Sequence, residues 1–464
     1  MSRVRSLLRD YAVRVRQFSP SARLFLAAAT LAGLNAGVAS VLLNLYINAL
    51  GSGDGSLGRV LWAGPAGAIV SGLIAGPLID RWGPKRSMLV GTVVAGAGAV
   101  LLLASPTLWA LRLGLALASA GSVVVYIAAP PLLVRHSSPA ERKHLFAVTA
   151  AAYVISTAAG SAIGGFLPAL MTRLFGAPTA ADAYRLALFA GALLSSLGIP
   201  LLVLVREPAR SPAGAAPAPA GAAPASAGAG VTGRRVSGSD GRGAPMPGVV
   251  GRLLAFPLLL RKHRREALII GQFVLADSFI RIGGNLFVPF FNVYFVEHLG
   301  SSTEWYGTLR SLDRVVVVVA TLLAAPIAVR YGPVATITLT QLLSVPFLLA
   351  FGFAPALGLA ASVFLARGAL MEMTVPIRDS FLMEVTPERV RATGNAALTL
   401  VGQALAVVTI PVGARLLEAG RYPLACAIAA ALYVVSALLY WSFFRAKPEA
   451  APQRRHEFVV VPQG

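Results

Sequence analysis

Gly76-Pro77-Leu78-Ile79-Asp80-Arg81-Trp82-Gly83-Pro84-Lys85-Arg86 stands between two long apolar segments, and the chain contains a second version of it. Ala325-Pro326-Ile327-Ala328-Val329-Arg330-Tyr331-Gly332-Pro333-Val334 stands between two others. Pro77, Arg81, Gly83 and Pro84 recur as Pro326, Arg330, Gly332 and Pro333, 249 residues on, whereas Asp80 is replaced by Val329. A basic, glycine-bearing loop repeated between apolar segments predicts a duplicated membrane bundle, in which a working site falls between the two halves.

The segments around the two loops fit that expectation. The chain is 56% hydrophobic and 13% charged, with a mean hydropathy of +0.72, against about 25% charged residues in ordinary soluble domains. A bilayer is crossed by roughly 20 apolar residues in a helix. Twelve stretches qualify, near 24–49, 58–79, 87–105, 108–134, 145–171, 184–205, 267–296, 304–329, 332–354, 357–383, 392–415 and 421–444. The expected fold is all-α, with 24–205 as an N-terminal six-helix bundle and 267–444 as a C-terminal one. Gly and Ala abound in these stretches, as close helix packing in lipid requires.

The net charge of +21 does not point to nucleic acid. Lys and Arg fall in short breaks between apolar runs and form no continuous basic face with aromatics between them. Their distribution instead sets a topology. The segments on one side carry 29 Lys and Arg, and the opposite loops about five, namely Arg59, Arg173, Arg185, Arg415 and Arg421. The positive-inside rule places both termini and the central linker in the cytoplasm, with the bundle in the cell membrane.

Residues 1–23 form a basic cytoplasmic segment. It reads either as an interfacial helix on anionic inner-leaflet lipid or as a frayed tail. The stretch 206–266 is a cytoplasmic linker of mainly Ala, Pro, Gly and Ser, expected to be largely disordered. A basic surface helix is expected near its end, and 445–464 form a cytoplasmic tail. The single cysteine, Cys426, excludes a disulfide framework, and no cofactor or metal site is expected.

The loop at 76–86 has the form G-x-x-x-D-R-x-G-x-K-R and resembles the signature between the second and third helices of the major facilitator superfamily. The resemblance extends over the ordered chain: twelve spans, a long linker, and the degenerate second loop. It implies a membrane transporter, expected as a monomer. Gly76 and Gly83 would serve close contact and chain reversal, while Asp80, Arg81, Lys85 and Arg86 complete the motif. The matching acid in the family latches the N-half to the eleventh helix in the outward-open state, which assigns that role to Asp80 near Ala392. Lys85 and Arg86 are equally explained as topology signals. Arg112 in the fourth span is paired with Arg367 in the tenth as a second echo between the halves. The Gly-Pro pair of the drug-antiporter signature is missing from the fifth span, and no sugar-porter signature follows the sixth.

Ionisable residues within spans are costly and are candidates for function. Asp277 lies about ten residues into its span, roughly 15 Å deep, with Arg281 one turn later. That pair is read as either structural or functional. Glu372 lies mid-span beyond Arg367, and Pro376 behind it should loosen the helix. As a buried carboxylate able to exchange a proton, Glu372 is the first choice for proton coupling and Asp277 the second. Asp313, with Arg310 and Arg314, is expected as a gate cluster toward the outer side. Arg378 and Asp379 are read as snorkelling residues near the cytoplasm. Asn35, Asn44, Tyr126, Tyr153, Asn285, Asn292 and Gln403 are candidates for a central cavity or, one by one, for interhelical hydrogen bonds.

Three classes of function are open to such a chain. No P-loop, HExxH or nucleophile elbow supports an enzyme. A sensor that lost transport would carry idle intramembrane charge. The leading expectation is a secondary transporter, taking a small molecule and a proton, for drug-like or amphipathic efflux. Uptake of a sugar or another small polar solute is the alternative.

Overall fold

The computed structural model describes residues 18–51, 56–206 and 264–445. Most of the basic N-terminal segment, most of the linker with the surface helix expected in it, and the tail lie outside the described residues. Among the described residues, twelve helices are long and apolar enough to cross a membrane. The first six are α1 (Pro20–Ala49), α2 (Leu57–Trp82), α3 (Pro84–Ala104), α4 (Leu108–Arg135), α5 (Pro139–Phe175) and α6 (Ala180–Leu204). The second six are α7 (Glu266–His298), α8 (Thr303–Tyr331), α9 (Pro333–Gly352), α10 (Leu357–Val385), α11 (Glu388–Glu418) and α12 (Tyr422–Phe444). The protein is a multi-pass integral membrane protein.

Local chemistry sets the helix ends. Ser19, Ser138, Thr179 and Ser302 accept backbone N–H groups of the first turns of α1, α5, α6 and α8, satisfying donors that a helix start leaves open. Pro20 and Pro139 occupy first helical positions, where no N–H is needed. These caps extend α1 and α5 several residues beyond their apolar runs, which explains the early start of both.

The duplicated loop folds alike in both halves. Gly83 has φ 83° and ψ 160°, and Gly332 has φ 81° and ψ 154°. Each donates its N–H to the carbonyl four residues back, at 2.9 Å, and is followed by a proline that starts the next helix. That left-handed φ is open to glycine and strained for other residues.

The halves are packed by different means. In the N-half, glycine brings backbones together: a methyl on Gly160 of α5 would stand 2.1 Å from Leu34 O of α1. One on Gly67 of α2 would stand 2.2 Å from Ala116 O of α4. In the C-half, rings fill the interior. Phe287, Phe291, Tyr294 and Phe295 of α7 meet Phe351 of α9 and Phe364 of α10 with centroids 4.6–5.6 Å apart, mostly edge to face, as their quadrupoles favour.

Four spans are not continuous α-helices: α2 and α6 each carry a one-residue turn, at Trp62 and Leu197, and two others depart further. α10 breaks at Met373-Thr374, just before Pro376, as the proline predicts. α7 passes into a 3₁₀ turn at Val288–Phe290 and a π turn at Tyr294–His298. Apolar length alone predicts one continuous span at 267–296, although Pro289 removes a helix donor at that point.

Candidate functional site

The two halves meet toward the end of the bundle opposite the duplicated loops. Gly165 of α5 and Gly307 of α8 face each other across the boundary: a methyl on Gly307 would stand 2.6 Å from Ser161 O and 2.7 Å from Gly165 Cα. Gly58 of α2 packs against Pro411 and Ala414 of α11. If α1–α6 are superposed in order on α7–α12, the α5–α8 and α2–α11 pairs exchange, so the closure is itself two-fold.

Polar groups seal the same end along α1 and α7. Asn292 Nδ2 donates to Val41 O at 2.9 Å. Asn44 Nδ2 donates to Pro289 O and reaches Asn292 Oδ1 at 3.4 Å. Asn48 donates to the Glu297 carboxylate one turn further out. The unwinding at Pro289 matters here, since a carbonyl released from the α-helical ladder is open to a partner from the other half.

Beneath this seam is a recess of about 410 Å³ shared by α1, α7 and α8. Ser40, Asn44, Asn285, Asn292 and Arg310 supply its polar lining, and Leu43, Val288, Phe291 and Tyr306 much of the rest. A volume of this order suits a small-molecule site.

Of the seven cavity candidates, Asn44, Asn285 and Asn292 share this recess, and four do not line it. Asn35 turns away: its Oδ1 packs on Gly191 of α6, within the N-half, because Gly191 leaves room for it. Tyr126 is 81% and Tyr153 45% exposed. Gln403 is half-buried on α11, beside Gly402, against which Arg281 packs.

The charged candidates form two clusters inside the C-half. Asp277 is fully buried and held from both sides. Arg281 Nε binds Oδ2 from one turn on, and Arg378 Nη1 of α10 stands 2.9 Å from Oδ1. Oδ1 has no aligned hydrogen bond, so the Arg378 contact is an ion pair off the hydrogen-bond axis. The reading of Arg378 as a snorkelling residue is therefore wrong; the break in α10 turns it toward α7. Its spacing from Pro376 was the available sign. Asp313 is 1% exposed and accepts from Arg310 and Arg314, each at 2.8 Å, with Oδ1 packed on Gly368 of α10. Arg310 thus joins this cluster to the recess.

Three other residues depart from expectation. Glu372 is exposed at the break in α10, not buried, since the helix ends there. It lies within electrostatic range of Arg378 and Tyr433. Arg367 is 6% exposed, with its guanidinium 5.1 Å from the Phe291 ring centre and no ion pair among the described residues. Arg112 is not its counterpart: it sits in the second turn of α4, at the sealed end, whereas Arg367 is three turns into α10. Arg112 has no acidic partner among the described residues; it donates to Arg59 O at 2.8 Å.

At the other end, Asp80 and Arg81 are exposed and make no ion pair with a described residue. Lys85 donates to Val203 O of α6 at 2.8 Å, and Arg86 is exposed. Gly76 is half-buried, and no described contact joins Asp80 to α11.

Two six-helix bundles, joined at one end over a polar recess, define a class of membrane protein built around a site between its halves. The sequence profile of the Major Facilitator Superfamily matches residues 25–280 and 273–462, and the chain belongs to that family. Solved structures of similar fold include the inward-open xylose transporter XylE from E. coli (TM-score 0.65, 16% identity, covering 92% of this chain and 97% of that one). The nucleoside transporter NupG is similar at TM-score 0.64 and 14% identity, covering 92% and 100%. A bacterial homolog of the human lysosomal transporter Spinster, inward-facing and unoccupied, has TM-score 0.63 and 14% identity, covering 91% and 96%. A curated relative, solute carrier family 2, facilitated glucose transporter member 10 of Xenopus tropicalis, is 42% identical over 48 residues; this stretch is 10% of the chain and 9% of that protein.

Proposed function

We propose that the protein is a secondary transporter, not an enzyme or a sensor, that moves a small polar solute by rocking 24–205 against 267–444. The observation that carries this reading is the placement of the Asn44–Asn285–Asn292 recess directly beneath the seam between the halves. When the seam opens, the amides that now bridge α1 and α7 are released, and a solute rich in hydroxyl or amide groups can take their place. With the termini in the cytoplasm and the bundle in the cell membrane, the sealed end is the outer one and this conformer faces inward. Asp80, with no ion pair among the described residues, fits that state: its latch to α11 belongs to the outward-open one.

Proton coupling is part of the proposal, with Glu372 as the carrier. A carboxylate exposed mid-span toward lipid is expensive, so we place it in the inward-facing cleft, within reach of water and of Arg378. Asp277, already held by two arginines, acts by re-pairing them as α7 and α10 move. Xylose and nucleoside transporters among the similar folds favour a sugar-like solute over the drug-like one. The apolar lining of Leu43, Val288 and Phe291 keeps amphipathic efflux as a second reading.

The test uses purified protein in proteoliposomes loaded with a pH dye and challenged with sugars, nucleosides and amphipathic drugs. One solute class should evoke proton movement, and Glu372→Gln should abolish it while leaving solute exchange. Solute flux without proton movement in the wild type would overturn the coupling; no flux with any class would overturn the transporter reading in favour of a sensor.

A further inference from the structure

The recess beneath the seam has one charged residue in its lining, and that residue is a cation, Arg310 of α8. The carboxylate that holds it is shared. Asp313 Oδ2 receives Arg310 Nη1 at 2.8 Å, and the same oxygen receives Arg314 Nε at 3.2 Å and Arg314 Nη2 at 2.8 Å. Two cations therefore meet on one oxygen of one anion. Asp313 is buried, whereas both arginine side chains are 24% exposed, so the trio turns its positive part outward.

A further cation stands behind the wall of the recess. Arg367 of α10 is buried, with its guanidinium 5.1 Å from the ring centre of Phe291, and Phe291 lines the recess. Its Nε has no hydrogen bond among the described residues, and Tyr433 and Cys426 of α12 lie within its electrostatic range. Gly368, the next residue, packs on Asp313 Oδ1, so the two positive centres are neighbours across the contact of α8 with α10.

The other described acids of the C-half spans are engaged elsewhere. Asp277 is held by Arg281 and Arg378, and Glu372 and Asp379 are exposed around the break in α10. Glu297 accepts from Asn48 at the outer end, and Glu304 opens α8 there. A buried cation is costly unless an anion is brought to it, and a guanidinium fork fits a carboxylate in particular. A neutral sugar would satisfy the asparagine amides of the recess and leave this excess of positive charge as it stands.

We infer that the solute is a hydroxylated organic acid, whose hydroxyl groups take the amides of Asn44, Asn285 and Asn292 and whose carboxylate takes Arg310. The inference rests on the transporter reading and narrows its solute. Arg310 can pass from Asp313 to the solute without stranding either charge, because Asp313 keeps Arg314. Arg367 adds to the attraction through space and does not touch the solute. A singly charged carboxylate suits the site better than a phosphate ester, since one guanidinium lines the recess.

The first measurement needs no solute. In purified full-length protein carrying Ser40→Cys in the recess, alkylation is timed with an anionic and a cationic thiosulfonate of similar size; the native Cys426 is buried. The ratio of the two rates cancels access and thiol reactivity. It should favour the anion, and Arg310→Gln should lower it by about fivefold or more, since a potential of a few kT acts on the two reagents in opposite senses. Arg310→Lys should keep most of the bias. An unmoved ratio would overturn the inference.

The second measurement titrates matched pairs by calorimetry: glucose with glucuronate, galactose with galacturonate, and glycerol with glycerate. The acid of at least one pair should bind about tenfold or more tighter than its neutral partner, the worth of one charge-assisted bond, and Arg310→Gln should erase that preference. Neutral partners that bind as tightly as the acids, or a preference that survives Arg310→Gln, would overturn the acid and leave the transporter reading standing. No binding by either member of any pair would overturn the sugar-like solute itself, and the rate ratio then decides alone whether the recess attracts an anion. Arg310→Gln leaves the Asp313–Arg314 pair intact, so an unchanged melt verifies that the variant is folded.

Discussion

The N-half is held mainly by backbones and the C-half mainly by side chains, although Gly413 of α11 also meets the α7 backbone, 2.4 Å from Leu286 O for an added methyl. α1 meets α5, and α2 meets α4, at glycines where even a methyl would clash with a carbonyl. α7, α9 and α10 meet through aromatic rings, and the ion pairs of Asp277 and Asp313 lie among the helices of the same half. The difference teaches where chemistry can be placed. A seam of touching backbones has no room for a charge and its partner, whereas helices spaced by side chains can house both. The duplication supplied one framework twice, and the two copies divide rigidity and charge between them.

The largest test of that division is Asp277→Asn. It leaves Arg378 and Arg281 without their counter-charge in the interior, a loss of about 3–5 kcal/mol where one partner of a buried pair is removed. Thermal unfolding in detergent should show a clear drop. Asp80→Asn, at the exposed end of α2, should leave the same melt unchanged. Equal effects would mean that Asp277 is not the keystone its burial indicates.

Next in size is Gly160→Ala. The added methyl meets Leu34 O at 2.1 Å, so α1 and α5 must separate, at a cost of about 1–3 kcal/mol by the usual scale of overpacking. Gly96→Ala on α3 meets nothing within 4 Å and should be neutral or stabilise by up to about 1 kcal/mol, through helix propensity. Two similar melts would show that the N-half tolerates looser seams than its backbone contacts suggest.

Gly307→Ala probes the boundary itself. Its methyl has no room against α5 while the halves are together, but is free once they part. The expected outcome is a shift in conformer population with less change in the melt than Gly160→Ala, read as faster alkylation of a cysteine placed at Ser40 in the recess. Slower alkylation would contradict the reading of this seam as the one that opens.

How far the sequence foretells all this follows the same division. The framework was legible because it depends on local signals: apolar length, Gly83 and Gly332 at their turns, Pro376 just beyond the break in α10. The family signature at 76–86 added the relation between halves. The site was legible only in part, because it depends on facing. Asn44 and Asn292 were found as polar residues in spans, but nothing in their spacing distinguishes them from Asn35, which Gly191 of α6 accommodates. Depth along the span predicts a buried Glu372 and a peripheral Arg378; Pro376 marks the break but not which way the side chains around it turn, and the structure exposes Glu372 and sets Arg378 against Asp277. Distortion of a helix re-aims every side chain beyond it, and hydropathy does not register that.

The smallest effect, and the sharpest use of the comparison, belongs to Asn292→Ala. Its amide donates across the boundary to Val41 O, and its Oδ1 receives Val293 N within its own helix. Interhelical hydrogen bonds in membranes average about 0.6 kcal/mol, so closure of the outer end should weaken by roughly threefold. The residue is 2% exposed while the seam is shut, and by the proposed mechanism it faces solute when the seam opens. A purely structural Asn292 would therefore change the closure alone. One that also binds solute should raise the KM of transport in addition, and Asn292→Gln, which keeps the amide, should recover part of the binding. If the KM stays fixed while closure loosens, the recess beneath the seam is a gate and not the binding site. The solute would then have to be held deeper in the C-half, beside Arg310 and Asp313.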